Sequence, residues 1–442
     1  MASNGVRGLL AMLCVTLAAC GDSATSPQES RSSVEAVRTV APASSWESWS
    51  GPNGDLRVAG TTPIVKEFPE WGAKELWKRD VGGGYSGLLH SAGRIFTAFR
   101  DGDSEVVAAL SAEDGETAWE YRYQPTAYPD MEHAFGDGPS ATPLIVDGRL
   151  FMISIDGQMR CFATGDGELL WELDLHERYG RQTRKEEYGF TAPPMAYGEH
   201  LLVAVGGEQH GVVALDPATG EHLWGSPPSR VSYAGPVIID VEGHDQFVFF
   251  APTEVIGMNP GNGEFLWRYH VESWTENNLT PALHLGGRHL WVAGQLDAGT
   301  RVLRLPEPGT TGDPEVVWEL DNIKQAHWSS FVDGEYVYGS VGGNFSSSLT
   351  GIHWPTGEIA WTYRGFHLVK GVMVDEVLYF LDENGQVGTA SFSPEGVEIF
   401  AANQLLDRVS WTIPIVVDDV LYARNQERIL AVSLNPADYE KS

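Results

Sequence analysis

The chain is built on an internal repeat, and a repeat of this period leaves few folds open. Its clearest mark is a turn that runs into an aromatic residue. DGETAW ends at Trp119, DGELLW at Trp171, TGEHLW at Trp224, NGEFLW at Trp267 and TGEIAW at Trp361. KELW at Trp77 and EVVW at Trp318 are shorter copies, and EGVEIF at Phe400 carries Phe where the others carry Trp. These aromatics stand about 39 to 53 residues apart, a spacing that brackets four-stranded units arrayed around an axis.

Each unit has the same internal order. An alternating apolar stretch with Pro or a small residue comes first, as in ATPLIV, TAPPMA, AGPVII, LTPALH and TIPIVV. A turn such as DGR, YGE, GGR or DGE leads to a second stretch, and VVAAL, MRCFA, VVALD, VIGMN or ILAVSL forms a third. The Asp/Asn-Gly turn then delivers the strand that bears the aromatic. Period-2 alternation broken by Gly turns predicts antiparallel strands, and no stretch carries a convincing helical period. The expected fold is all-β, an eight-bladed β-propeller of four-stranded antiparallel blades. The count comes from the two ends: the segment from Trp411 to Leu434 has three strands and no closing aromatic, while Lys74–Trp77 is a fourth strand without a first three. Joining them closes the last blade with the N-terminal strand and hides a sheet edge. A seven-bladed ring with a separate N-terminal strand is the competing count.

Composition agrees with a chain of many turns: Gly contributes 50 of 442 residues and Trp 15, with 42% hydrophobic residues to fill a core. The formal charge of −31 argues against nucleic acid and anionic lipid surfaces as partners, because like charges repel. The blade aromatics, Trp77, Trp119, Trp171, Trp224, Trp267, Trp318, Trp361 and Phe400, are read as structural. A flat ring at a strand end can stack on the next blade and bury a large area. The Gly before each is a turn residue suited to positive φ.

The first 19 residues carry one charge, Arg7, and a ten-residue apolar run, Leu9–Ala18, too short to span a bilayer and suited to a secretory signal. Leu17-Ala18-Ala19-Cys20 resembles the lipobox of bacterial lipoproteins, which implies lipidation of Cys20 and a mature chain beginning there. Gly21 after the Cys lacks the acidic signal for inner-membrane retention, so the resemblance favours the outer membrane, facing the periplasm. Residues 20–45 are rich in Ser, Ala, Thr and Pro and read as a lipid-anchored flexible tether. The propeller is assigned to residues 46–436 and a C-terminal tail to 437–442. Cys161 is the one thiol left in the folded part and reads as a buried residue on a strand.

The turn of the form [DN]-x-x-[TND]-G-x-x-x-W, repeated through residues 46–436, resembles the quinoprotein-type, PQQ-binding-like β-propeller repeat. The opening WESWSGPNGD at Trp46–Asp55 is similar to the start of many bacterial members. The resemblance implies the fold and leaves two functions open. Quinoprotein alcohol dehydrogenases of this kind hold PQQ and Ca²⁺ in the ring. The lipoprotein subunit of the outer-membrane β-barrel assembly machinery has the ring without a cofactor. The dehydrogenases carry an adjacent Cys pair over the quinone, and this chain has none; it also lacks a CxxCH haem motif as an electron outlet.

Candidate ligand residues come from aligning the blades on the turn after their first strand. One position in register is Tyr85, Ser140, Phe190, Tyr233, Asn278, Ala326, Leu368 and Trp411; its neighbours include His327, Trp328, Lys370 and Thr412. Tyr85, Phe190, Tyr233, Asn278, His327, Trp328, Lys370 and Trp411 are the candidate channel or ligand mouth, with packing around ordered water as the plainer reading. Two connections are long, Tyr123–Gly138 with Tyr128, His133 and Asp137, and His176–Tyr188. The second gathers Arg178, Arg181, Arg184 and Lys185, a basic cluster that suits an anionic partner or ligand. No phosphate loop, HExxH pair, calcium loop or nucleophile elbow is present. No catalytic residue, metal ligand or cofactor is assigned. The expected function is a non-catalytic binding or scaffold module of the cell envelope with a protein or polymer partner, in outer-membrane protein assembly. The alternative is a periplasmic PQQ-dependent alcohol dehydrogenase-type oxidoreductase using PQQ and Ca²⁺.

Overall fold

The computed structural model describes residues 44–69, 72–125, 136, 138–180, 189–273, 278–294, 298–310, 312–325, 329–343 and 346–440. They form eight four-stranded antiparallel sheets, the blades of a propeller. Blade 1 holds the strands Leu89–Ser91, Arg94–Asp101, Ser104–Ser111 and Thr117–Tyr123. Blades 2 to 7 repeat this order over residues 144–174, 195–225, 237–270, 283–320, 330–363 and 370–404. Blade 8 takes Ile415–Val417, Val420–Arg424 and Arg428–Ser433 from the C-terminal end and Glu75–Asp80 from the N-terminal end. Trp77 faces Ala431 in that closing pair, so the ring of eight expected from the chain ends is the one formed. Among the described residues the only α-helix is Leu175–Tyr179, capped by the Asp174 carboxylate, which accepts from Glu177 N.

The alternation seen in sequence becomes burial. The second and third strands of each blade are covered on both faces, as in Arg94–Asp101 and Ser104–Ser111, whereas the outer strand Thr117–Tyr123 alternates with solvent. Tight turns such as Asp147-Gly148, with φ of 49° and 73°, join first strands to second, the left-handed pair that suits strand twist.

All eight blades carry a one-residue register shift where the third strand meets the fourth. The bulge lets one residue swing outward, Leu76, Leu170 and Leu223 among them, and sets the next residue, the tryptophan, against the neighbouring blade. The indole then sits on the turn glycine of that neighbour. A Cβ on Gly115, Gly167, Gly220 or Gly263 would stand 2.6–3.0 Å from the ring of Trp77, Trp119, Trp171 or Trp224. Gly357 meets Trp318 in the same way, at 3.2 Å. Each of these glycines has φ between 72° and 78°, so the position needs Gly both for its backbone and for the ring above it. Indole N–H groups of Trp77, Trp119, Trp171, Trp318 and Trp361 donate to the next blade's carbonyls of Ala112, Thr164, Pro217, Trp354 and Ser393, at 2.6–3.2 Å.

Trp224 keeps the glycine seat, but its indole N–H has no partner among the described residues, and two positions depart further. In blade 7 the tight turn Ser393–Gly396 lengthens the hairpin, and the bulge pairs Ile399 with Ala390 and Ala401 with Thr389. Ala401 therefore occupies the register of the tryptophans. Phe400 takes the outward position, covered by the Lys66 ammonium 4.5 Å from its ring centre. Trp267 lies over Gly257 of its own blade and donates to Gln246 Oε1 at 2.7 Å, not to a blade 5 carbonyl, while it is buried in one cluster with Leu303 and Leu305 of that blade.

The seam between blades 8 and 1 has a further clamp. Arg424, fully buried, donates to the carbonyls of Gly84, Ser86, Ala98 and Asn425 and to Thr97 Oγ1, at 2.7–3.2 Å. At the other terminus Asp438 and Tyr439 bond Ser433 and Lys74, so the ring's packing continues past residue 436.

Candidate functional site

First strands of the blades surround the axis, and the two ends of that axis are closed in different ways. At the end where first strands finish, residues 46–58 cross from blade to blade. Trp46 exchanges two backbone hydrogen bonds with His90 of blade 1, both 2.8 Å, and Ile145 N of blade 2 donates to Glu47 O. Trp49 packs on Gly235 at the entry to blade 4. Arg57 Nη2 donates to Val332 O of blade 6, and Arg57–Val58 pairs in parallel with Met373–Val374 of blade 7. Trp46, Leu56 and Val58 are buried by this crossing. Between Trp49, Asp55, Thr280, Pro281, Ser329 and Ser330 a cavity of about 50 Å³ remains, close to the size of one or two water molecules. The segment leaves the axis between blades 7 and 8, where Val65 N donates to Leu434 O and Tyr379 Oη donates to Val65 O, and then enters Glu75–Asp80. The chain's own N-terminal portion thus plugs this end. Sequence reasoning singled out Trp46–Asp55 as a family-like opening and gave it no place in the ring. The signal that could have found it is an aromatic, Gly-turned stretch with apolar residues outside the repeat.

At the opposite end, where interblade connections enter, the sequence's candidate residues divide into groups. Tyr85 and Trp411 stack, with ring centres 5.2 Å apart and an interplanar angle of 24°. Lys370 opens the first strand of blade 7, is buried, and gives its ammonium to the Trp411 carbonyl. Burial pushes the Lys370 amine well below its usual range, while Glu383 pulls the other way. Glu383, missed by the sequence alignment, joins these groups: its Oε1 accepts from Trp411 Nε1 and from Arg408 Nη2, each at 3.2 Å. Gln426 Nε2 donates to Tyr85 Oη. Burial, above all, pushes the Tyr85 phenol up to about 12, with the Gln426 bond opposing and the Glu383 charge assisting.

Phe190 and Asn278 lie apart from this cluster. Phe190 is buried, edge-on to His176, with centres 5.2 Å apart. Asn278 is fully buried, and its Nδ2 donates to Ala251 O and Pro252 O. Tyr233 N donates to Asn278 O. These side chains form walls between blades, not a shared pocket. Of the basic cluster, Arg178 is exposed on the short helix with its guanidinium 5.7 Å from the Tyr179 ring centre. Arg181, Arg184, Lys185, His327, Trp328 and Cys20 lie outside the described residues, as do Tyr128, His133 and Asp137.

This mouth has one acidic and two basic groups: Glu383 is met by Arg408, and Lys370 is capped by the Trp411 carbonyl. For a quinone cofactor the fit is poor. Its metal needs several carboxylate and amide oxygens converging, and among the described residues no group of three or more His, Cys, Asp or Glu is placed to hold an ion. Cys161 is buried in blade 2, its thiol pushed up to about 12 by burial, and among the described residues it has no partner for a disulfide over a cofactor. What the arrangement offers is a rigid ring with a packed axis and elaborated connections at one face.

Comparison with known proteins places this geometry. The family model described as "Outer membrane protein assembly factor BamB" matches residues 103–363. The outer membrane protein assembly factor BamB of Shewanella oneidensis is 22% identical over 342 residues, covering 70% of this chain and 79% of that protein. The quinohemoprotein alcohol dehydrogenase ADH-IIG of Pseudomonas putida is 26% identical over 130 residues, covering 28% of this chain but 17% of the enzyme. Among solved structures, BamB from Moraxella catarrhalis superposes with a TM-score of 0.55 at 13% identity, over 82% of this chain and all of that one.

Proposed function

Since the chain belongs to the family of the outer membrane protein assembly factor BamB, we propose that it is a non-catalytic binding module of the bacterial cell envelope. In this reading it is lipid-anchored through Cys20, faces the periplasm from the outer membrane, and presents its connection face to an envelope protein during outer-membrane protein assembly. The observation that carries it is the filled axis. Residues 46–58 bond across one end, and at the other Lys370 meets the Trp411 carbonyl, Glu383 meets Trp411 and Arg408, and Tyr85 stacks on Trp411 and meets Gln426. A ring whose axis is packed leaves its faces and loops for work, and long loops on a rigid scaffold are where binding residues collect. Arg178, with Arg181, Arg184 and Lys185, supplies positive charge on an acidic molecule and so favours an acidic partner surface.

Pull-down from solubilised membranes with the lipidated chain and with Cys20→Ala tests this. A shared envelope partner retained by both forms, and weakened when Arg178, Arg181, Arg184 and Lys185 are all changed to Gln, supports it. Absence of any partner overturns it. Mixing the purified protein with PQQ and Ca²⁺ should give no alcohol-dependent dye reduction; sustained turnover would instead support the dehydrogenase reading.

A further inference from the structure

One position of the repeat changes character in blade 4 alone. The tryptophans and Ala401 pair with the third strand, and the partners of that pair on the second strand share one register. Two residues before it, the other blades place Arg94, Arg149, His200, His289, Tyr336, Val377 and Val420, all partly exposed. Blade 4 places Gln246 there, and it is 3% exposed. Its orientation is fixed by chemistry. The Trp267 indole N–H can only donate, and Gln246 Oε1 accepts it at 2.7 Å, so the amide NH₂ is turned the other way. Among the described residues Gln246 Nε2 makes no hydrogen bond, and Gln246 lines a pocket of about 290 Å³, near the lower limit for a ligand site. Asn259, on the same pocket, repeats the arrangement: its Oδ1 accepts from Gly261 N at 2.8 Å, and its Nδ2 makes no hydrogen bond among the described residues. Tyr197, Leu266, Trp267, Pro306 and Pro308 supply apolar wall. The two carboxylates at the edge already have partners. Asp245 accepts from Tyr197 Oη at 3.1 Å, and Glu307 lies 3.5 Å from the Arg288 guanidinium. The pocket therefore suits a neutral guest with acceptors for two amide donors, not a cation.

We propose that this pocket binds an N-acetylhexosamine unit of a glycan. A buried N–H left without an acceptor costs free energy, and an acetamido carbonyl recovers it. Ring hydroxyls both accept and donate, so one sugar can serve the Asn259 amide and the Glu307 carboxylate together. The acetyl methyl and the C–H face of the ring match the proline and aromatic walls. A pyranose carries all of these groups on one rigid body, so little freedom is lost on binding. The pocket is bordered by the starts of second strands and by turns between third and fourth strands, at His244–Gln246, Asn259 and Pro306–Thr310. That is the face opposite the interblade connections, so a glycan here leaves the connection face free for a protein. The inference goes beyond the binding-module reading and shares only its envelope setting.

Calorimetry on the purified mature protein with triacetylchitotriose and cellotriose tests the pocket independently of any pull-down. The two trisaccharides share their linkage and differ in carrying acetamido or hydroxyl groups. Triacetylchitotriose should bind about tenfold tighter, the worth of one buried hydrogen bond. Gln246→Glu keeps an oxygen for the Trp267 indole and removes both N–H donors, and it should weaken that binding about tenfold. Asn259→Asp should weaken it about threefold. The second variant keeps its turn, because Asp216 holds the matching place in blade 3 with its Oδ1 accepting from Ala218 N. If Gln246→Glu lowers the melting temperature enough to unfold the ring, Asn259→Asp decides the matter. No binding of triacetylchitotriose, equal affinity for the two sugars, or unchanged binding by the folded variants would overturn the inference. So would tighter binding of Ac-Gly-Asn-Gly-NH₂, which offers amides without a sugar ring and would assign the pocket to a peptide. Failure here with an envelope protein still captured by pull-down would strike the pocket and leave the binding module standing.

Discussion

Gly167→Ala isolates what the indole seats contribute. The residue lies in the last turn of blade 2 at φ of 76°, and a Cβ there would stand 2.6 Å from Trp119 of blade 1. Three costs follow. An L-residue held at that φ loses about 1–2 kcal/mol. Forcing a methyl into the ring contact costs about 1–3 kcal/mol. Displacing the indole strains the Trp119 Nε1–Thr164 O bond of 3.0 Å, worth about 1 kcal/mol. The expected loss is about 3–6 kcal/mol. Gly148→Ala is the matched control: φ is 73°, but the nearest atom to its Cβ would be Thr164 Oγ1 at 3.8 Å, an ordinary contact. It carries the backbone cost alone, about 1–2 kcal/mol. At roughly 2.1 cal/mol/K of unfolding entropy per residue, a ring of this size has about 0.8 kcal/mol/K at its midpoint. Gly167→Ala should then lower Tm by about 4–8 °C and Gly148→Ala by about 1–3 °C in differential scanning calorimetry. Replacing Trp119 by Leu in the Gly167→Ala background should recover part of the loss, since the two residues share one contact. Equal shifts for the two glycines would refute the reasoning, because the indole would then add nothing to the backbone effect.

Arg424→Met should destabilise by about 3–5 kcal/mol, because it strands four carbonyls and a hydroxyl that only a planar five-donor group can meet; Arg424→Lys should not rescue it, as denaturant titration would show. Trp46→Ala should cost about 3–5 kcal/mol and should speed limited proteolysis between residues 46 and 69 before the ring itself is cut. Glu105, buried against Tyr123, is pushed up to about 7, by burial first. Its folded value lies above its unfolded value, so its protonation favours the folded state. Stability should fall as pH rises from about 4.5 to 7, and Glu105→Gln should flatten that slope in chemical denaturation followed across the same range.

The architecture was legible because its two determinants are local. Turn glycine and aromatic recur at fixed spacing, and period-2 apolar strands lie between them, so eight copies announce a closed ring before any contact is known. The placement of Phe400 was not legible from spacing. EGVEIF and TGEIAW match letter for letter in Gly-to-aromatic distance, but Ser393–Gly396 forms a shorter turn than His353–Glu358, which shifts the bulge and leaves Ala401 facing the next blade. Turn length is decided by backbone geometry that Pro394 and Glu395 permit, and a motif count does not see it.

The axis was read least well, for a reason of principle. Aligning blades identifies which positions share a register, as it did for Tyr85, Lys370 and Trp411, but it assumes that the space they border is empty. That space is filled by residues outside the repeat. Trp46 finds its partners at His90, 44 residues on, while Arg57 finds its own at Val332 and Met373, some 275 to 316 residues on. In a repeat protein the strands are fixed by what the copies share, and the surfaces available to partners are fixed by where one copy fails to match its neighbours.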